Sequence, residues 1–371
     1  MKTVIVSSNT CWSLYNFRAA LIRALVERGD RVIALAPRDR YRDRLASLGC
    51  NVQHLELDNK GNNPWRDGRT LLAYFSTYRR IRPAVALHFT IKPVLYGAIA
   101  ARSLGIPCVS TITGLGTAFI HHTPLTRLIE FLYRFSQSWP SRIFLQNSDD
   151  LRLFQQRRLA NPVRTERLPG SGIDLARFAP VPFPRNCAPI FLLSGRLIWH
   201  KGVREFVEAA RRVKSRRENV RFQLLGPLGV ANRTAISTNE LQHWVQEGVI
   251  EYLGETDDVR PRITAAHCVV LPSYREGLPR ALMEAAAMGR PIITADSPGC
   301  REVVDDGESG YLCKPRDVGS LAEAMERILN LPESALRNMG LHGRAKMVNE
   351  FDERSVVERY LSAIVEASSI G

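Results

Sequence analysis

The stretch "SYREGLPRALMEAAAMGRPIIT", residues 273–294, sets two glutamates eight positions apart, Glu276 in a turn and Glu284 inside a helical pattern. It is entered from one continuous apolar run, CVVLPS, and runs into another, PIITA, both with the β-branched content of buried strands. Pro279 suits the first helical position, where a missing N–H costs nothing. Gly289 ends the helix before the next strand. Strand, turn, a helix starting near Leu278 and strand make one βαβ unit, the building block of a parallel sheet covered on both faces.

The same alternation extends in both directions. IFLLSG, a helix over 203–216, VRFQLLG and VIEYLG precede the stretch, and YLCKP with helices at 317–330 and 333–349 follows it. Towards the N-terminus, TVIVSS, a helix over 15–28, VIALAP, NVQHLEL, a helix over 68–80, AVALHF, the segment 93–103, PCVSTIT, a helix near 124–138 and RIFLQN repeat the pattern. The expectation is α/β with two doubly wound parallel-sheet domains. Residues 178–189, FAPVPFPRNCAP, hold four prolines and no periodicity, and read as the linker. The domains are then 1–180 and 181–351, with a final helical run at 352–366 inside a C-terminal segment 352–371.

A chain of 371 residues is long enough for two cores. No run approaches the roughly eighteen apolar residues of a spanning helix, and MKTVIVSSNTCWSLYNF lacks a signal-peptide core. A cytoplasmic protein is expected. The seven cysteines are scattered and never form a CxxC pair, which argues for small reduced hydrophobes rather than a disulfide framework or zinc site. Net charge is +14, and all of the excess lies in residues 1–180, with 26 Lys/Arg against 12 Asp/Glu, while 181–371 carry 25 of each. A basic half beside a neutral one points to an anionic ligand or surface, nucleic acid or the inner leaflet of a membrane. Solvated arginine faces are the plainer reading.

Ligands of open parallel sheets bind beyond the carboxyl ends of the strands. After IFLL, the loop SGRLIWHKG presents Arg196 and Lys201 just before a helix, an anion site in which a guanidinium and an ammonium add to the helix dipole. Glu276 and Glu284, with backbone N–H groups at Gly277, Leu278 and Arg280, suit a nucleotide sugar, whose hydroxyls need acceptors and whose phosphates need donors. Surface charges on an amphipathic helix remain the alternative for both. The loop 296–312 reads as tight turns. In the first half, Asn16 and Arg18 open a helix, His88 and Lys92 follow a strand, and Thr113 and Gly114 lie in TITGLGT. That glycine loop has neither Gly-x-Gly-x-x-Gly spacing nor a P-loop lysine, so a dehydrogenase or NTPase reading lacks support. The helix of 123–139 shows two stripes, Leu125, Leu128, Ile129 and Leu132 on one side, Arg127, Phe131, Arg134 and Phe135 on the other. The second suits an anionic membrane interface, or else buries both phenylalanines in the core.

GRLIWHKG, the Glu-x7-Glu element from Glu276 to Glu284 and the GRPIIT after it resemble the retaining glycosyltransferases of family 4 over essentially the whole chain. SLYNFR, FTIKPVLYG, TITGLGT and LQNSDD resemble the branch that serves capsule and undecaprenyl-diphosphate-linked oligosaccharides. The resemblance implies the GT-B fold, two Rossmann-like domains facing across a cleft, with the last helix returning to the first domain. It implies a UDP-sugar donor, a hexose or N-acetylhexosamine such as GalNAc, a lipid-diphosphate-linked sugar acceptor, and a protein peripheral on the inner face of the bacterial inner membrane. It places Arg196 and Lys201 on the donor diphosphate, Glu284 on the ribose, and Glu276 with Gly277, Leu278 and Pro279 on the transferred sugar. Asn16, Arg18, His88, Lys92, Thr113 and Gly114 fall on the acceptor side. Many members carry a histidine where this chain has Thr113, a departure that leaves a catalytic role at that position open, with Thr113 and Gly114 placed to line the cleft. Nothing resembles an Asp-x-Asp element, so no cofactor and no metal is expected. Two rivals stand beside this reading: a GT-B epimerase acting on a UDP-sugar without an acceptor, and a basic nucleic-acid-binding protein. The second lacks base-reading aromatics or any familiar module.

Overall fold

The computed structural model describes the chain apart from residues 58–62, 117, 118, 120–123, 186, 230–233, 370 and 371 and the side chain of Leu125. Two expected features therefore lie outside the described residues, the end of the TITGLGT loop and Leu125 of its stripe. The chain divides into two compact units, Met1–Gly172 with Glu353–Gly371, and Ile173–Asp352.

In the first unit, β1 (Thr3–Ser7), β2 (Arg31–Ala36), β3 (Asn51–His54), β4 (Val85–Phe89), β5 (Cys108–Ile112), β6 (Arg142–Leu145) and β7 (Thr165–Arg167) form one parallel sheet in the order β3-β2-β1-β4-β5-β6-β7. The sheet grows one way from β1 and the other way from β4. Crossovers of one hand then place helices on both faces. α1 (Cys11–Glu27) and the C-terminal helix, residues Glu353–Ser369, share one apolar face with Val4, Val6 and Leu87. α2 (Arg42–Ala46) follows β2. α3 (Pro64–Ile81), a π turn at Pro93–Gly97, α4 (Ala98–Ser103), α5 (Pro124–Ser136) and α6 (Ser148–Gln156) follow, with α3 and α4 over Ile5, Ile33 and Ala86, and α5 and α6 over Ile143 and Leu145. Local chemistry sets the helix starts: the Thr10 side chain accepts from Ser13 N at 3.0 Å, and Asn63 caps α3 with Pro64 at its first position.

In the second unit, β8 (Ile190–Ser194), β9 (Arg221–Leu225), β10 (Glu251–Tyr252), β11 (Cys268–Leu271), β12 (Ile292–Ala295) and β13 (Gly310–Cys313) run parallel in the order β10-β9-β8-β11-β12-β13. Its direction reverses between β8 and β11. The helices are α7 (Val203–Lys214), α8 (Thr238–Gln246), α9 (Arg260–Ala265), α10 (Arg280–Ala287), α11 (Val318–Asn330) and α12 (Glu333–Glu350). The C-terminal helix of the first unit is α13.

The proline-rich stretch 178–189 is not the boundary. The units part at Gly172 and Ile173, and Phe178 and Phe183 are buried in the second core. Prolines exclude the stretch from ladders and helices, yet its carbonyls find a donor inside. The buried Arg290 guanidinium donates to Val181 O at 3.1 Å and Pro182 O at 2.7 Å, and also to Ile263 O and Thr264 O. α2, α6, α8, α9 and the short β7 have no counterpart in the sequence reading. They are brief or polar outside one or two buried positions, such as Leu45 in α2 and Phe154 in α6.

Candidate active site

The reversal between β8 and β11 leaves a crevice at the strands' carboxyl ends, and the two loops there carry the charged residues. β8 runs into Gly195 and Arg196, then a 3-10 turn at Trp199–Lys201, and Gly202 opens α7. Arg196 is exposed, with no ion-pair partner among the described residues. Lys201 Nζ lies 2.6 Å from Glu276 Oε1, with only 15% and 16% of the two side chains exposed. The neighbouring loop thus brings Glu276 to the phosphate-type loop, and the surface-charge alternative for Glu276 is set aside.

Close backbone packing fixes the Glu276 turn. Gly299 has φ +79, and a Cβ there would fall 2.4 Å from Glu276 O. Glu276 N donates to Pro298 O at 3.0 Å, and Ser297 Oγ to Ser273 O at 2.7 Å. Gly202, with φ +73, meets Pro272 in the same way, its Cβ position 2.3 Å from the carbonyl oxygen. Both positions demand glycine.

α10 begins at Arg280, with Pro279 as the residue before it rather than inside. Glu284 therefore sits in the second turn, closer to the helix start than a helix beginning near Leu278 would place it. Its Oε1 accepts from Arg280 Nε at 3.0 Å, with 15% of the side chain exposed. Burial raises the Glu284 carboxyl above the ordinary range, against the pull of Arg280. Leu278 packs its side chain on the second core. Asp305 and Asp306 serve turns, as read: Asp305 pairs with Lys346 at 2.9 Å, and Asp306 accepts from Leu312 N at 2.8 Å.

In the first unit the structure revises several positions. His88 lies within β4, wholly buried, with Nε2 2.8 Å from Tyr78 Oη. It is a core residue and cannot meet an acceptor. Burial lowers its imidazole to about 3, so the fold holds it neutral. Stability from this site is complete above the ordinary histidine range and is lost as pH falls from about 6.5 towards 3. Acid unfolding followed by circular dichroism should therefore shift to lower pH in His88→Leu relative to wild type, although the variant loses stability at neutral pH through the stranded Tyr78 hydroxyl.

Asn16 and Arg18 belong to the second turn of α1, since Thr10 caps the helix. Asn16 Nδ2 donates to Trp12 O at 3.0 Å, a tie inside the helix. Arg18 is buried, its guanidinium 4.3 Å from the Phe89 ring centre and 5.7 Å from that of Tyr360, so it clamps α13 rather than opening to a ligand. Lys92 follows β4 and pairs with Asp67 at 2.6 Å. Thr113 and Gly114 lie half-buried in the loop after β5.

α5 resolves its two stripes differently from the sequence reading. Thr126 and Tyr133 face the core with Ile129 and Leu132 partly buried, while Leu128 joins Arg127, Phe131, Arg134 and Phe135 outside. Leu128 is three residues before Phe131 and seven before Phe135, which is one face of a helix. Phe131 is 61% and Phe135 47% exposed, so neither fills the core. Ser273, Ser297, Asp67 and the side chain of Arg280 are not among the residues expected from the sequence, which names only the backbone N–H of Arg280. Ser273 and Ser297 each lie two residues past a strand end and Arg280 beside Pro279, which is a signal in the sequence; Asp67, inside α3, offers none.

Two parallel sheets of Rossmann type, the second with a cation and carboxylate pair at its reversal point, define a GT-B glycosyltransferase fold. Residues 188–331 match the family described as glycosyl transferases group 1, and residues 17–170 the glycosyl transferase 4-like domain. The chain belongs to this glycosyltransferase family and is a glycosyltransferase. It is 28% identical, over 94% of each chain, to the N,N'-diacetylbacillosaminyl-diphospho-undecaprenol alpha-1,3-N-acetylgalactosaminyltransferase of Campylobacter jejuni. It is 24% identical, over 77% of this chain and 76% of the other, to the UDP-Gal:alpha-D-GlcNAc-diphosphoundecaprenol alpha-1,3-galactosyltransferase of Escherichia coli. In fold it is similar to Anabaena HepE in complex with UDP-glucose, with a TM-score of 0.81 at 16% identity and full coverage of both chains.

Proposed function

We propose that this chain transfers a hexose or N-acetylhexosamine, N-acetylgalactosamine being the first candidate, from a UDP-sugar to an undecaprenyl-diphosphate-linked saccharide in surface-glycan synthesis. The observation that carries the reading is the Lys201 and Glu276 pair at the β8/β11 reversal, beside an exposed Arg196. The similarity to transferases named for UDP-galactose or for diphospho-undecaprenol acceptors supports the substrate classes. Arg196 and Lys201 grip the diphosphate with the N-terminus of α7, Glu284 accepts from the ribose, and Glu276 with the backbone of Gly277, Leu278 and Pro279 holds the sugar. Asn16, Lys92, Thr113 and Gly114 remain on the acceptor side, Lys92 as a pair with Asp67.

In the reaction, the bond from the anomeric carbon to the β-phosphate oxygen breaks and the acceptor hydroxyl oxygen bonds to that carbon on the same face. The departing UDP takes the hydroxyl proton, so no protein base is required. Negative charge grows on the leaving phosphate, where preorganised cations act most strongly. We include in the proposal that the reaction proceeds with retention and without a metal ion or other cofactor.

The chain works from the cytoplasmic face of the membrane in this reading. No helix among the described residues is long and apolar enough to cross a membrane. The exposed face of α5, with Arg127, Phe131, Arg134 and Phe135, suits anionic lipid, and α3 offers the same mixture in Trp65 (86% exposed), Arg69, Leu72 and Arg79. Purified enzyme incubated with bacterial membranes and a panel of UDP-sugars tests the assignment. One UDP-sugar should label the lipid fraction, with equal label in EDTA. Labelling from none of the panel would overturn it.

A further inference from the structure

Glu276 is held by more than Lys201. Ser273, the second residue after β11, is 1% exposed, and its Oγ lies 2.5 Å from Glu276 Oε1 and 3.0 Å from His200 O. The hydroxyl has one proton and two acceptors, and a charged acceptor at the shorter distance takes it. Lys201 Nζ meets the same oxygen at 2.6 Å. Oε1 is therefore gripped by both a cation and a hydroxyl, which together restrict the rotamer of the glutamate.

Ser273 is itself fixed from behind. Its carbonyl accepts from Ser297 Oγ at 2.7 Å, and Tyr274 N donates to His200 O at 2.9 Å. Tyr274 Oη donates to Glu205 Oε1 at 2.7 Å, which anchors the turn to the first turn of α7. The hydroxyl thus rests on a frame tied to the loops after both β8 and β12. A flexible glutamate would have to lose rotamer freedom each time a sugar binds, and this frame removes that cost beforehand.

We infer that Ser273 is a positioning residue for the transferred sugar, fixing the Glu276 carboxylate through Oε1 so that sugar-bearing donors are preferred over the bare nucleotide. This rests on the proposed role of Glu276. The hydroxyl is buried and bonded to Glu276, and acts through it, so its loss should affect the sugar and spare the nucleotide.

The test compares wild type, Ser273→Ala, Glu276→Gln and the double variant, measuring transfer and the affinities for UDP and for UDP-N-acetylgalactosamine. Ser273→Ala is expected to lower kcat/KM about 10- to 100-fold, the scale of a misplaced reacting partner. UDP affinity should stay within about twofold, and the double variant should be no worse than Glu276→Gln alone. Equal losses for UDP and UDP-sugar, or fully additive losses in the double variant, would reduce Ser273 to a structural part and overturn the inference, as would unchanged transfer in Ser273→Ala with Glu276→Gln impaired. If Glu276→Gln itself leaves transfer and sugar preference intact, the reading of Glu276 falls, and the inference with it.

Discussion

Replacing Lys201 with Ala is expected to lower transfer about 10²- to 10³-fold, the scale seen when one preorganised group facing developing charge is removed. Arg196→Ala should cost a similar factor, but the two variants should differ in stability. Arg196 is exposed and has no ion-pair partner among the described residues, so its removal leaves the melting temperature unchanged. Lys201 neutralises a carboxylate that is 16% exposed. Its removal leaves Glu276 with the Ser273 hydroxyl but without that cation, which costs about 1–3 kcal/mol, less than a fully buried pair would. Adding Glu276→Gln to Lys201→Ala should restore most of that stability and none of the activity. Near-normal transfer by Lys201→Ala or Arg196→Ala would sink the assignment of the diphosphate site.

The second large effect concerns lipid. Phe131 and Phe135 stand on the outer face of α5 with Arg127 and Arg134, and burying each ring in the acyl boundary is worth about 1.5–3 kcal/mol. The double variant Phe131→Ser, Phe135→Ser should therefore bind vesicles containing anionic phospholipid at least about tenfold more weakly than wild type. Arg127→Gln with Arg134→Gln should lose about 1 kcal/mol per charge and weaken the salt dependence. Transfer to a short-chain, water-soluble acceptor should be unaffected in both variants. Wild-type binding by the phenylalanine variant would remove α5 from the membrane contact.

Much of the fold was legible because buried parallel strands are continuous apolar runs, and IFLL, CVVL and PIITA could hardly be anything else. The two loops that face each other across β8 and β11 were legible for the same reason, since the strands fix where the loops must fall. What escaped is what depends on three-dimensional partners. The four prolines of 178–189 looked like a linker because the donors of Arg290 lie about a hundred positions away. His88 looked accessible because Tyr78, its partner, belongs to a helix ten residues earlier. Arg18 reads as an acceptor-binding residue because the rings that cover it, Phe89 and Tyr360, are remote in sequence. Leu128 was assigned to the wrong stripe of α5, although helical spacing alone groups it with Phe131 and Phe135.

The most direct test of the central claim is the mass and anomeric configuration of the lipid product formed from the preferred UDP-sugar and a purified undecaprenyl-diphosphate-linked saccharide. The account predicts a lipid heavier by one hexose or N-acetylhexosamine, α-linked as in the donor, formed in step with UDP release and lost in Lys201→Ala. UDP release or an epimerised UDP-sugar with no lipid product, or a β-linked product, would contradict it.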